Sequence, residues 1–389
     1  MGCFSTLRIG KLDLDISKNH LENFSSLFSS FDYKEVTHYY EGNFSEEHFG
    51  YSRKLYNCKQ RLELLGYTDE YIKILFNIYQ EDEDIAFNIE DLQNIIRFID
   101  INISVYDEND DYYSNTDFSR KITNIINTND CFKILREIVN EISYFIDSFD
   151  AYFILKLFIM NNLFLNEDVV WEYYDLVQGG YVTEEEVSLL LENTSKVLLI
   201  TEGSSDTLIL KSAIEWIYPD IKNFFEFIDM EKNYPFTGAG NIVNFYHGIC
   251  KIESKKNIVF IFDNDTAGVK ALNSCIENNF SNIKKTTLLN LDEFRNFITL
   301  GPNGESNEDI NERAVSIELF LDLNYMNNQT PMIRWTSYDE STDKYQGVLI
   351  NKEKYVKKYF DAFNKRSIDY SLNKLKLLLD YIISIVENM

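Results

Sequence analysis

Two stretches decide how this chain reads: VLLITEGSSD at residues 197–206 and VFIFDNDTAG at residues 259–268. In the first, Val197 to Ile200 is a continuous apolar run, β-branched at both ends and stopped by Glu202-Gly203. A short apolar run bounded by turn residues suits a strand buried on both faces. Ser204 or Ser205 stands where a helix N-cap belongs, and Leu208, Ile209, Ala213, Ile214 and Ile217 follow at helical spacing. The second stretch repeats the plan. Ile258 to Phe262 reads as a strand, Asp263-Asn264-Asp265 ends it, and a helix is expected from Thr266 to Ile276.

Between them, Phe225 to Ile228 reads as another strand, and Gly238-Ala239-Gly240-Asn241 turns into a helix through His247 and Ile252. The Gly238 turn lacks the Lys-Ser/Thr of a Walker loop, so nucleotide hydrolysis is not expected. A further strand is expected near Thr286 to Leu291. Strands alternating with helices predict a parallel α/β sheet flanked by helices. Upstream of Lys196 the period differs. Leu7, Ile9, Leu12, Leu14 and Ile16 alternate like a strand or hairpin, and the pattern then turns helical. Tyr71 to Tyr79 is apolar on more than one side, as in a buried helix. Leu92, Ile95, Ile96 and Ile99 share one helical face, and Ile134, Ile138, Ile142 and Phe145 repeat the spacing. Ala151 to Leu165 and Glu184 to Leu191 follow. The expected organisation is a mostly α-helical domain over 1–195, an α/β domain over 196–325, and an extension of the latter over 326–389.

Composition narrows the class. With 45% hydrophobic residues, 29 Phe and 26 Tyr, the 389-residue chain can fill two cores, and its 4 prolines and 15 glycines argue against long disorder. Five cysteines and four histidines are dispersed without CxxC spacing, which argues against a zinc site or disulfide framework. A reduced, cytoplasmic protein is expected. No apolar run reaches membrane-span length. Gly2, Thr6 and Cys3 fit a permissive acylation pattern that is read as a chance match, so no membrane partner is expected. The net charge of −26 is unlike that of a nucleic-acid binder. The charge is uneven, however. Residues 331–389 hold ten Lys and Arg against eight Asp and Glu, a net of +2. The acidic runs Glu81–Asp84 and Asp107–Asp111 read as solvated surface. Nucleic-acid binding would therefore need metal ions, a local basic strip or a regulatory partner.

In an open parallel sheet, ligands bind beyond the carboxyl ends of the strands. Glu202 lies there after one strand, and Asp263 and Asp265 after another. Three carboxylates on one rim repel unless a cation joins them, and oxygen donors without His or Cys favour Mg²⁺ or Mn²⁺. Gly203 would allow a phosphate to approach closely.

Glu202-Gly203 after one strand and Asp263-x-Asp265 after a later one resemble the signature of the TOPRIM domain. The resemblance implies an α/β fold and two-metal phosphodiester hydrolysis with Glu202, Asp263 and Asp265 as metal ligands. Two further features are similar to the OLD-family nuclease branch. Asp206 stands one helical turn past Glu202, where it either adds a metal ligand or complements its helix dipole. Ser316-Ile317-Glu318 either assists a second metal or opens a helix. That branch also uses a late lysine, for which Lys344 and Lys352 are candidates and Lys352 is preferred as the stabiliser of phosphorane charge.

MGCFSTLRIG at residues 1–10 and RLELLGYT at residues 61–68 resemble the N-terminal domain of HEPN/TOPRIM-associated proteins. Many HEPN domains cut RNA with Arg-x4–6-His, yet none of the ten arginines here has that spacing. Arg61 is expected to be structural, and this half to serve as scaffold, sensor or homo-oligomer contact. The whole resembles bacterial anti-phage or toxin-type nucleases acting on DNA, tRNA or other RNA. The alternative is a non-cleaving, metal- and nucleic-acid-binding regulatory or assembly module. A topoisomerase lacks room for its gating domain, and a primase lacks its zinc module.

Overall fold

The computed structural model describes residues 2–39, 45–83, 86–102, 117–192, 196–228, 238–277, 279–326 and 329–389. Asp84 and the acidic run Asp107–Asp111 lie outside the described residues. The chain divides into two compact units, 1–195 and 196–389.

The first unit comprises β1 (Phe4–Ile9), β2 (Leu12–Lys18), β3 (Tyr33–Tyr39), β4 (Ser45–Lys54), α1 (Leu55–Leu64), α2 (Asp69–Glu83), α3 (Ile89–Ile96), α4 (Asp117–Thr128), α5 (Val139–Asp147), α6 (Ala151–Met160), β5 (Asp168–Glu172), α7 (Tyr174–Gln178) and α8 (Glu184–Glu192). Its five strands form an antiparallel sheet in the order β2-β1-β5-β4-β3. This corrects the mostly helical expectation. Only the β1–β2 hairpin, turned at Gly10 with φ +59°, shows a clear period of two. Four consecutive residues of β4, Gly50 to Arg53, are all buried, so its inner end does not alternate, and the strand runs into α1 with no turn residue between. β5 is five residues long and follows the apolar helix α6 closely, so it hides in the helical reading.

Two helical expectations are also corrected. Residues 130–138 form a 3₁₀ helix kinked at Phe132, and Ile134 is 82% exposed. Three residues per turn carry an i, i+4 row around the helix instead of along one face. Among the described residues of α2, Ile72 and Phe76 are buried while Ile74 and Ile78 are half-exposed. The core centres on Trp171 of β5, stacked on Phe28 at 6.2 Å, and on α6, whose Phe153, Ile154, Leu155, Leu157 and Phe158 are fully buried. Lys156 is buried among them and paired with Glu63 at 2.8 Å and Asp69 at 2.7 Å. Arg61 is buried and donates to the carbonyls of Ser26 and Phe28, a structural role.

A buried polar knot crosses the sheet. Arg8 Nε donates to Glu172 Oε1 at 2.6 Å, and His38 Nδ1 meets Glu172 Oε2 at 2.5 Å. Burial alone would raise the Glu172 pKa, but His38 and Arg8 outweigh it and hold the group below the usual carboxylate range. Glu172→Ala would leave the buried Arg8 charge without its carboxylate, with only the Gly10 and Thr37 carbonyls to accept from it. The expected loss is about 3–5 kcal/mol, measured by urea unfolding.

The second unit comprises β6 (Val197–Thr201), α9 (Ser204–Ile217), β7 (Phe225–Phe227), α10 (Ala239–Lys251), β8 (Ile258–Phe262), β9 (Asn264–Asp265), α11 (Thr266–Ser274), β10 (Ile283–Thr287), β11 (Phe297–Gly301), β12 (Gly304–Glu308), β13 (Ala314–Val315), β14 (Ile333–Asp339), β15 (Lys344–Leu349), α12 (Lys352–Lys365) and α13 (Asn373–Glu387). A parallel sheet, ordered β10-β8-β6-β7, carries helices. Ile200, Phe260 and Phe262 of its strands pack with Ile242 and Tyr246 of α10 and Ala271 of α11. A second sheet, β12-β11-β14-β15, lies in the stretch 297–349. Ser212 of α9 and the Tyr359 hydroxyl share a hydrogen bond of 2.8 Å that ties α12 to α9. Among the described residues no helix is long and apolar enough to cross a membrane.

Candidate active site

β6 and β8 are parallel neighbours with Thr201 opposite Ile261, so Glu202 and Asp263 leave the sheet side by side. Glu202 Oε1 accepts the Asp263 backbone N–H at 3.1 Å. Asp206 lies in the first turn of α9, and its Oδ2 accepts the Gly203 N–H at 2.8 Å. Gly203 is therefore the N-cap, not Ser204 or Ser205, and the helix begins at Ser204. Asp206 is both a cap for its own helix and a member of the carboxylate group.

The last acid arrives from afar. β9 pairs with β13, placing Ala314 opposite Asp265 and Val315 opposite Asn264. This bridge carries the following residues to the cluster. Ser316 precedes a short 3₁₀ helix, Ile317–Phe320, without a side-chain cap bond, so the expected longer helix does not form. Glu318 in that turn is only 2% exposed. Its Oε1 lies 3.2 Å from Lys352 Nζ, and its Oε2 has no hydrogen-bond partner among the described residues. Lys344 stands elsewhere, paired with Glu312 at 2.7 Å.

Asp265 caps α11 through Oδ1, which accepts the Gly268 N–H at 2.7 Å. Its Oδ2 accepts from the Gln346 amide, and Gln346 Oε1 accepts the Ala267 N–H at 3.1 Å. Gln346 thus positions the DxD segment, and nothing in the sequence marked it. Asn264 is buried, donates to Asn290, and accepts the Glu312 N–H at 3.2 Å. Gly268 is obligatory for another reason: a Cβ there would stand 2.1 Å from the Asp263 carbonyl oxygen. Gly268→Ala must push Asp263 out of place. We expect it to cost about 1–3 kcal/mol or more in urea unfolding, as overpacking does.

The electrostatics describe an anionic nest that Lys352 compensates only in part. Burial, reinforced by Asp265 and Asp206, lifts the Glu202 pKa to about 7. Burial and Glu318 lift Asp206 to about 7, although Lys352 opposes them. Asp263 is raised well above the usual range by burial and by Asp206, Glu202, Asp265 and Glu318. Burial pulls the Lys352 ammonium down, but Glu318, Asp206 and Asp263 outweigh it and keep its pKa raised. An oxygen-only donor set with one buried, unpartnered carboxylate oxygen suits a hard dication. Among the described residues, however, no three acidic, histidine or cysteine side chains are already arranged to hold a metal. The donors are gathered but not closed.

The model of the HEPN/Toprim N-terminal domain 1 family matches residues 1–194, half of the chain. The chain belongs to the HEPN/TOPRIM-associated family. This family match covers the first unit and not the carboxylate cluster. Neither the curated proteins nor the solved structures gave a match.

Proposed function

We propose that the second unit of this HEPN/TOPRIM-associated protein is a TOPRIM-type nuclease that hydrolyses nucleic-acid phosphodiesters with Mg²⁺ or Mn²⁺. The observation that carries the reading is the buried, half-satisfied Glu318, paired with Lys352 at 3.2 Å and within electrostatic reach of Asp206 and Asp263. Glu202, Asp263 and Asp265 would hold one ion, and Asp206 and Glu318 a second. The ions, when bound, supply Lewis acidity and charge neutralisation. Lys352 keeps its proton and presents a cation to the phosphoryl oxygens as charge builds there. Gly203, without a Cβ, leaves room for a phosphate beside the α9 N-terminus. Ser316 sits at the head of the Glu318 turn, where its hydroxyl would steady that carboxylate. The biological setting we propose is a bacterial anti-phage or toxin-type effector.

A second reading is a non-cleaving module, favoured by the net charge of −26 and by the open donor geometry. The two separate on one assay. Purified protein is incubated with plasmid, single-stranded DNA or total tRNA, each with Mg²⁺, Mn²⁺ or EDTA. Metal-dependent cleavage, lost in the Asp263→Ala/Asp265→Ala double variant, is the expected result and names the substrate. Absence of cleavage on every substrate would sink the nuclease reading in favour of the module.

A further inference from the structure

Strand β15 reaches both arms of the carboxylate nest through two consecutive residues. Gln346 Nε2 donates to Asp265 Oδ2, while Gln346 Oε1 accepts the Ala267 N–H at 3.1 Å. The second contact fixes the amide, because a flipped amide would set its NH₂ against that N–H and its oxygen against the carboxylate. The residue before it adds to the grip: the Tyr345 carbonyl accepts the Thr266 hydroxyl at 3.0 Å. Farther along α11, Lys270 meets Asp339 at 2.9 Å and the Ser341 hydroxyl at 2.8 Å. The β14–β15 hairpin is thus pinned to the helix that Asp265 caps.

Gly347, the next residue, meets the other arm. Its N–H donates to the Arg313 carbonyl at 3.0 Å, just before the β13 pair that leads to Glu318. A Cβ on Gly347 would stand 2.9 Å from Ala314 Cβ and 2.6 Å from Ile333 Cγ2, so the strand lies this close only with glycine there. Soon after β15 ends, α12 opens with Lys352, which holds Glu318 Oε1 at 3.2 Å. One short piece of chain therefore grips Asp265 at one end and Glu318 at the other. Ordinary packing accounts for the closeness of Gly347. It does not account for an amide aimed at Asp265, whose other oxygen already accepts the Gly268 N–H.

We infer that β15 is the spacer of the metal site: Gln346 is a positioning residue that fixes Asp265, and Gly347 sets how near the Glu318 arm lies. Together they set the separation of the two ligand groups, Glu202, Asp263 and Asp265 on one side and Asp206 and Glu318 on the other. The inference rests on the metal-site reading and adds what holds that site to its dimensions. Contacts that orient a ligand in this way are worth about 10–100-fold in metal affinity.

The test reads metal binding apart from cleavage. Mn²⁺ is titrated into full-length, metal-free protein by calorimetry. Electron paramagnetic resonance then shows whether two bound Mn²⁺ are spin-coupled, as ions about 3.5–4 Å apart are. Gln346→Leu should weaken Mn²⁺ binding by about 10–100-fold. In an Asp265→Asn background the same substitution should cost little more, because Gln346 acts through Asp265. Gly347→Ala should retain one ion and lose the coupled signal. A purely structural Gln346 would lower the unfolding midpoint and leave the Mn²⁺ isotherm of the folded protein unchanged, which would overturn the inference. An equal loss of affinity with and without Asp265 would overturn it too. Wild type that binds no Mn²⁺ sinks the metal reading and the spacer with it. Binding that Gln346→Leu leaves intact sinks the spacer alone, and binding without cleavage of any nucleic acid sinks the nuclease reading alone.

Discussion

Asp263→Asn is expected to abolish metal-dependent cleavage and to raise the melting temperature of the metal-free protein. The first effect follows from losing a central oxygen donor, and single-turnover rates should fall by at least about 10³-fold, the upper range for one preorganised electrostatic contact. The second follows from relief of repulsion. Asp263 is crowded by Asp206, Glu202, Asp265 and Glu318, and burial adds to the cost of its charge. An isosteric amide removes that charge without leaving a cavity. If the relief amounts to about 1 kcal/mol, the transition moves up by about 2–4 °C. Opposite signs for activity and stability are the mark of a site held together for function. Full Mg²⁺-dependent cleavage in the variant would refute the assignment of Asp263, and a lower melting temperature would refute the electrostatic account.

The pH dependence should be inverted by metal. Glu202 and Asp206 are raised to about 7 and Asp263 further above its ordinary value, whereas unfolded carboxylates titrate near about 4. Between those values the folded chain binds more protons than the unfolded one. The stability derivative with pH is then negative. This contribution is complete below about pH 4 and is lost as pH rises through 7. Metal binding needs the deprotonated carboxylates, so the stabilisation by saturating Mg²⁺ should grow over the same window. Thermal melts from pH 5 to 8, with and without Mg²⁺, should therefore diverge as pH rises. Asp13 in the first unit, raised to about 8 mainly by burial and Asp117, adds to the metal-free trend. The Glu202→Gln/Asp206→Asn variant separates the two, since it should flatten the trend and erase the response to Mg²⁺. Parallel curves for wild type with and without metal would contradict the grouping of these acids.

The parts legible in sequence are those whose cause is local. Val197–Thr201 and Ile258–Phe262 are continuous apolar runs because both faces of a parallel strand are covered. The acids that follow them were visible for the same reason. The β1–β2 hairpin was legible because Leu7, Ile9, Leu12 and Leu14, all buried, alternate with polar residues. The rest of the first unit's sheet was not. β5 lies between β1 and β4, strands far from it in the chain, and such pairing leaves no periodic trace in a five-residue segment. The N-cap was misread because Ser204 and Ser205 are good capping residues, whereas Asp206 reaching back to Gly203 satisfies that N–H instead.

The sequence alone placed the strands Val197–Thr201 and Ile258–Phe262 and the helices that follow them, because burial and chain direction act over a few residues, whereas the strand expected near Thr286–Leu291 runs from Ile283 to Thr287. Tertiary structure alone decided that Glu318 pairs with Lys352 within electrostatic reach of Asp206, that Gln346 holds Asp265, and that Lys344 turns to Glu312. Those contacts depend on the two-residue pairing of β9 with β13 and on the β14–β15 hairpin. The free energy that selects them comes from packing between segments far apart in the chain, such as Gln346 and Asp265, 81 residues apart, and no local pattern encodes it.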